Sequence, residues 1–422
     1  MLSYQLHSDI LIDMKLKSLK QREWKKGEVV LLRVDANVPL ENGAVAATAD
    51  YRLRRLKPTI DFLRSIEARI VLITHLGRPE SRWSLVNDVW SLTPADQESF
   101  TLEPVVERLS ALLGADIPLL HDPIGTKELI DHIHSYAPSD VVCLENIRYY
   151  AGEEKNETNF ARTLASVGSV FVNDAFGVCH RKAASVVGVT QFLESYAGFL
   201  LMEEVRRLGE VREKPERPFI AIVGGAKIST KMGLLSRLLQ QANTVLVGGG
   251  LATTIWGALG YGVGGSLVEE DQYHEVNRAL LQRYPAKLVL PIDVVVRSKT
   301  TDTVRVTSVP SAPTALCAGD EEIVDAGPAT GELVKKIMNE HTLAVWNGTF
   351  GRAEDPRFRA GSKAILEALA PVSKTIVGGG ETVMFVQEEK AAKQFSFVST
   401  GGGAMLEFLE GKTLPGIEVL RK

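Results

Sequence analysis

Apolar residues fall along this chain in short β-rich runs separated by longer stretches with helical spacing. In the first half the runs are Val29–Val34, Ile70–Thr74, Val141–Leu144 and Val170–Asn173, and helical stretches such as Arg54–Ile66, Leu102–Leu113 and Asn159–Val167 lie between them. In the second half the runs are Phe219–Val223, Thr244–Val247, Leu288–Leu290, Leu343–Trp346, Thr375–Val377 and Phe395–Val398. Continuous apolar runs suit strands buried on both faces, and repeated strand-then-helix order builds parallel sheets. A charged helical stretch, Gly198–Glu213, and the segment Lys214-Pro215-Glu216-Arg217-Pro218 separate the halves. Proline and charge predict a boundary there; a surface helix followed by a loop is the competing reading. The pattern thus predicts an α/β chain with two parallel-sheet domains.

Bulk properties narrow the partners. The chain has 422 residues, enough for about two or three domains. Its net charge is −4, from 48 basic and 52 acidic side chains, so nothing global draws it to nucleic acid or membrane. Neither partner is expected, and any basic site must be local. Cys143, Cys179 and Cys317 form no C-x-x-C pair, which fits a reducing compartment and a cytoplasmic location. No apolar run approaches the roughly 18 residues of a membrane helix. Residues Met1–Lys17 include Asp9 and Asp13 and read poorly as a leader.

Four times in the second half a predicted strand meets a glycine cluster and then a helix. The clusters are Gly224-Gly225-Ala226-Lys227, Gly248-Gly249-Gly250, Gly378-Gly379-Gly380 and Gly401-Gly402-Gly403. Ligands of open α/β sheets bind at the carboxyl ends of strands. Glycine lets backbone N–H groups approach an anion, and a helix N-terminus adds a favourable dipole. One cluster could be a tight turn and nothing more; four at equivalent places predict a polyphosphate site. Lys227 and Lys231, spaced i, i+4 at the start of a predicted helix, would share a face there. Two solvated lysines are the plainer alternative. No G-x-x-x-x-G-K-[ST] loop occurs, because Leu406 stands where its first glycine belongs. The literal G-x-G-x-x-G at Gly260, Gly262 and Gly265 follows a helical run, so the dinucleotide fingerprint lacks its strand.

The strand ends of the first half are basic instead. They carry Arg33-Val34-Asp35, His75-Leu76-Gly77-Arg78, Asn146-Ile147-Arg148 and His180-Arg181, with Arg52 just after the first strand. Guanidinium forks suit carboxylate and phosphate oxygens. Any single arginine could pair with a nearby acid, but the group predicts a site for a small, multiply charged anion. One anion site and one polyphosphate site together predict a two-substrate phosphotransferase.

At these residues the chain resembles the phosphoglycerate kinase family. The matching segments run in order from about Gly27 to Leu420: Arg33-Val34-Asp35-Ala36-Asn37-Val38-Pro39, His75-Leu76-Gly77-Arg78-Pro79, Leu144-Glu145-Asn146-Ile147-Arg148, Asn173-Asp174-Ala175-Phe176-Gly177, Gly224-Gly225-Ala226-Lys227, Trp346-Asn347-Gly348 and Ser399-Thr400-Gly401-Gly402-Gly403. The resemblance implies two Rossmann-like domains, each a mostly parallel sheet with helices on both faces, joined by a hinge helix in a monomer. The N-terminal domain would span 1–197 and be joined by 405–422, the interdomain helix 198–213, and the C-terminal domain 214–404. By resemblance, Asp35, Asn37, Arg52, His75, Arg78, Arg148 and Arg181 would bind 3-phosphoglycerate. Gly224, Gly225, Lys227, Lys231, Gly248, Asn347, Gly351, Glu354, Gly378, Gly379, Gly380 and Thr382 would bind ATP or ADP with Mg2+. Arg52, Lys227 and the backbone at Gly380 and Gly403 would stabilise the transferring phosphoryl group. The implied reaction is reversible transfer between ATP and 3-phosphoglycerate, giving ADP and 1,3-bisphosphoglycerate. A nucleotide-binding relative without catalysis is the alternative.

The chain also departs from the family pattern. Glu381 stands where the family has an aspartate that contacts magnesium, and a glutamate there is a poorer helix N-cap. Thr349 replaces a proline, Thr230 an aspartate, Ala36 a phenylalanine and Ala183 a histidine.

Overall fold

A computed structural model describes residues 16–46, 49–79, 83–86, 89–92 and 100–421, the pieces 83–86 and 89–92 as backbone only. The segment read against a leader falls mainly on residues 1–15, outside the described residues. The chain forms two compact units, Met1–Glu210 with Thr413–Lys422, and Val211–Lys412.

The first unit is built on a six-stranded sheet. Across it the strands run Glu194–Ala197, Val170–Asn173, Val29–Arg33, Arg69–Ile73, Val141–Leu144 and Leu119–Leu120, all paired in parallel. Strand residues alternate between two cores. Val30, Leu32, Ile70, Leu72, Val170 and Val172 pack on one side, while Val29, Leu31, Val71, Ile73, Val142 and Phe171 pack on the other. Burial of both faces is why these strands read as unbroken apolar runs. Helices such as Lys57–Ser65, Glu103–Leu113 and Thr158–Ala165 supply apolar stripes, including Ile60 and Leu63, Val105 and Leu109, and Phe160 and Leu164. The C-terminal return also belongs here. Gly416 N–H donates to Cys179 O at 2.9 Å, Lys17 N–H donates to Leu420 O at 3.1 Å, and Leu16 bridges Arg421. By packing, this return begins at Thr413; the helix Gly403–Glu410 packs on Met232–Gln241 in the other unit.

The second unit holds another six-stranded parallel sheet. Its order is Leu288–Val289, Thr244–Val247, Phe219–Val223, Leu343–Asn347, Lys374–Gly378 and Phe397–Val398. Sequence patterning missed a separate antiparallel sheet of Asp293–Ser298, Val304–Ser308 and Glu321–Ala326. The run Gly260 to Gly265 is no fingerprint: only Gly262–Val263 is extended, pairing with Ala315–Cys317. No helix among the described residues is long and apolar enough to cross a membrane.

Candidate functional site

In the first unit, the carboxyl ends of neighbouring parallel strands bring the basic residues together. The chain leaves Val29–Arg33 into Asp35 and Asn37, and leaves Arg69–Ile73 into His75 and Gly77. Asn37 Oδ1 accepts from Gly77 N–H at 3.0 Å, tying these two strand ends together. Arg52, on the short helix Tyr51–Arg54, donates to Asn37 O at 2.8 Å and lies 3.4 Å from Asp35 Oδ2. Arg148 donates to Gly77 O and stands 3.5 Å from Glu154 Oε1, which is 3.9 Å from Arg181 Nη1. His75 is buried; desolvation, then the charges of Arg33, Arg148, Arg181 and Arg52, push its imidazole well below the usual range. Arg78 lies on the same loop as Gly77 and is exposed. The result is a neutral histidine among cations, suited to an anion with several charges.

Arg33 does not face outward as the strand-end pattern suggested. It is 2 % exposed and spends its donors on Ser185 Oγ at 2.9 Å, the Val34 carbonyl, Ile73 O at 3.3 Å and His75 Nδ1 at 3.2 Å. Ser185 is held in turn by buried Glu153, through Oγ at 2.5 Å and N–H at 2.8 Å. Glu153 and Ser185 were invisible to sequence reasoning, because nothing local links them to Arg33.

In the second unit the four glycine turns all lie at carboxyl strand ends. Helices Met232–Gln241, Gly250–Ala258, Gly380–Glu388 and Gly403–Glu410 follow them. Gly249 and Gly379 are N-caps with φ of +63° and +98°, a region that favours glycine. Three of the turns are tied together through the end of the strand Leu343–Asn347. Gly224 N–H donates to Asn347 O at 2.9 Å, Asn347 Nδ2 donates to Gly378 O at 2.9 Å, Gly348 N–H donates to Thr382 Oγ1 at 2.7 Å, and Gly248 N–H donates to Val223 O at 3.0 Å. Gly403 begins the helix after the edge strand Phe397–Val398.

The lysine pair differs from its predicted form. The helix starts only at Met232, with Lys231 as its N-cap, so Lys227 lies in the preceding loop and the two share no helix face. Lys227 is exposed. Lys231 turns inward and donates to Gly224 O at 2.6 Å and Asn347 Oδ1 at 2.8 Å. Burial brings its ammonium down to about 8, with Glu381 acting in the opposite direction.

A cavity of about 420 Å³ opens beside these turns. Gly225, Gly249, Gly250 and Glu381 line one part, and Trp256, Leu267, Val294 and Ile323 make an apolar part. Gly351, Arg352 and Glu354 complete the wall. A glycine-lined end with helix N-termini accepts phosphates, and an apolar slot accepts a flat ring. Glu381 sits in the first turn of its helix and is exposed, whereas Gly379 is the N-cap. The concern that a glutamate caps poorly therefore does not apply. Among the described residues no cluster of three or more His, Cys, Asp or Glu could hold a metal alone. Mg2+ characteristically uses one or two carboxylates plus substrate phosphates, and the exposed Glu381 carboxylate in the cavity wall fits that demand.

Arginines gathered around His75 in one α/β unit and a glycine-lined cavity in the other suit a phosphotransferase acting on small substrates. Comparison with known proteins gives the family. The model of the family described as phosphoglycerate kinase matches residues 20–412. The phosphoglycerate kinase of Borrelia garinii subsp. bavariensis is 40% identical over 414 residues, covering 97% of this chain and 100% of its own. That of Dictyoglomus turgidum is 40% identical over 406 residues, covering 94% and 96%. Among solved structures, phosphoglycerate kinase from Coxiella burnetii superposes with a TM-score of 0.77 at 34% identity, covering 96% of this chain and 98% of its own. Phosphoglycerate kinase from Pyrococcus horikoshii does so with a TM-score of 0.82 at 27% identity and the same coverage. The chain belongs to the phosphoglycerate kinase family.

Proposed function

We propose that this chain catalyses reversible phosphoryl transfer between ATP and 3-phosphoglycerate, giving ADP and 1,3-bisphosphoglycerate. The observation that carries this reading is the set of arginines around a buried, neutral His75, placed where a parallel sheet receives its ligands. In the forward direction a carboxylate oxygen of 3-phosphoglycerate forms the new bond to the γ-phosphorus. The bond from that phosphorus to the β–γ bridging oxygen breaks, and its electron pair leaves with ADP. The carboxylate is already ionised at neutral pH, so no general base is required. Catalysis is then positioning and charge stabilisation.

Arg52 is assigned to the transferring phosphoryl group, oriented by its bond to Asn37 O. Lys227, on its exposed loop, is assigned to the same group from the nucleotide side, with backbone N–H groups at Gly380 and Gly403. Asp35, Asn37, His75, Arg78, Arg148 and Arg181 hold 3-phosphoglycerate. Gly224, Gly225, Lys231, Gly248, Asn347, Gly351, Glu354, Gly378, Gly379 and Thr382 form the nucleotide site. Glu381 would hold Mg2+ together with the nucleotide, and the ion would supply positive charge to the phosphate oxygens. Because the two substrates are assigned to separate units, direct transfer requires hinge closure, which also excludes water. We further propose a cytoplasmic location, in keeping with three buried, unpaired cysteines, and a monomer, in keeping with the family resemblance. A coupled assay of 3-phosphoglycerate phosphorylation tests the function. No turnover with ATP or GTP, under either Mg2+ or Mn2+, would overturn it.

A further inference from the structure

Arg33 is a buried group that the reaction leaves unused. Its bonds run in one direction only. A guanidinium carries five donors and no acceptor, and it stays charged in proteins. The contact from Arg33 Nη2 to His75 Nδ1, at 3.2 Å, therefore requires Nδ1 to accept. The side chain has little freedom to do otherwise. Nε is fixed on Ser185 Oγ at 2.9 Å, and Nη1 is fixed on the Val34 carbonyl and on Ile73 O at 3.3 Å. Ser185 is itself anchored by Glu153 at 2.5 Å. The residues come from two neighbouring strand ends, the short helix Ala151–Glu154 and the turn at Ser185, so their registration is a product of the fold and not of any local motif.

We propose that Arg33 is a positioning residue that fixes His75 as the neutral tautomer with its one proton on Nε2, so that the phosphoglycerate site presents an uncharged donor among arginines. The proposal rests on the reading of this cluster as the phosphoglycerate site, but the tautomer itself is set within the protein. The second nitrogen of a histidine takes the role that the first leaves it. Protonating Nδ1 would set an N–H against a guanidinium N–H. It would also add a charge to a group whose burial, and then the charges of Arg33, Arg148, Arg181 and Arg52, already hold it below its usual range. Substrate charge is thus met by the arginines, and the histidine contributes direction.

Long-range 1H–15N correlation spectra of the full-length wild-type protein, with His75 assigned through His75→Gln, give the test. A single Nε2–H tautomer at pH 7 is expected. An Nδ1–H tautomer or an imidazolium at that pH overturns the proposal. Ser185→Ala removes the acceptor that orients Arg33 without touching substrate. It should introduce an Nδ1–H population and raise KM for 3-phosphoglycerate roughly five-fold, about the worth of one hydrogen bond, with KM for ATP unchanged. An unchanged tautomer together with an unchanged KM in that variant also overturns the proposal. Calorimetry separates the two readings. A fixed Nε2–H tautomer with no binding of 3-phosphoglycerate would remove the substrate assignment and leave the role of Arg33 towards His75 standing.

Discussion

Lys231 Nζ donates to Asn347 Oδ1 over 2.8 Å, and the amide of Asn347 continues to Gly378 O at 2.9 Å. One lysine and one asparagine thus join the ends of three strands, Phe219–Val223, Leu343–Asn347 and Lys374–Gly378. Burial shields this ammonium from water and disfavours its charged form more than the Glu381 carboxylate supports it, hence the fall from 10.5 to about 8.

That shift predicts proton uptake on nucleotide binding. Above pH 8 the free protein has largely released this proton, and phosphate oxygens brought beside Lys231 favour its return. At pH 9 ADP binding should therefore take up a substantial fraction of one proton, and at pH 7, below the free value, almost none. Calorimetry in two buffers of different ionisation enthalpy measures this. Equal apparent enthalpies at pH 9 would contradict it.

Gly379→Ala should damage the nucleotide site alone. Its φ is +98°, and a Cβ there would stand 2.9 Å from Asn347 Nδ2. Strain of this kind costs on the order of 1–3 kcal/mol. Thermal unfolding should shift downward and KM for ATP should rise, with KM for 3-phosphoglycerate unaffected.

Glu154 stands beside two of the arginines assigned to the substrate. It lies 3.5 Å from Arg148 and 3.9 Å from Arg181, yet its side chain is 62 % exposed. Such pairs are worth roughly 0.2–1 kcal/mol. Glu154→Gln should tighten 3-phosphoglycerate binding by up to about five-fold. Titration calorimetry at low salt reads the change, and weaker binding would show that Glu154 supports the site instead.

Glu381→Gln removes the one carboxylate assigned to Mg2+. Half-saturation by Mg2+ at fixed ATP should rise about ten-fold, equivalent to ~1.4 kcal/mol. Glu381→Asp keeps the charge on a shorter arm and should raise activity if side-chain length limits turnover. Steady-state rates across a Mg2+ series distinguish the two effects.

The sequence revealed those parts of the molecule in which a local signal matches a local cause. Strands such as Phe219–Val223 are buried throughout and read as apolar runs. The glycine turns were legible because positive φ at Gly249 and Gly379 demands glycine. The antiparallel sheet was missed because Val304–Ser308 is an exposed edge strand, with Arg305 paired to Glu321 across the surface. Lys231 was misplaced because helical spacing ran back through residues that form a loop. The anchoring of Arg33 by Ser185 and Glu153 escaped because partners 152 and 32 residues apart meet only after the sheet forms.

The return of Thr413–Lys422 to the first unit also orders events in time. Gly416 seats on Cys179 and Leu420 on Lys17, so the first unit needs residues translated after the whole span Val211–Lys412. At 5–20 residues per second, that intervening span takes roughly 10 to 40 s to synthesise. The unit that emerges first is therefore completed only after the second has been made, and its nascent chain waits with the seat around Cys179 uncovered until Thr413–Lys422 follow.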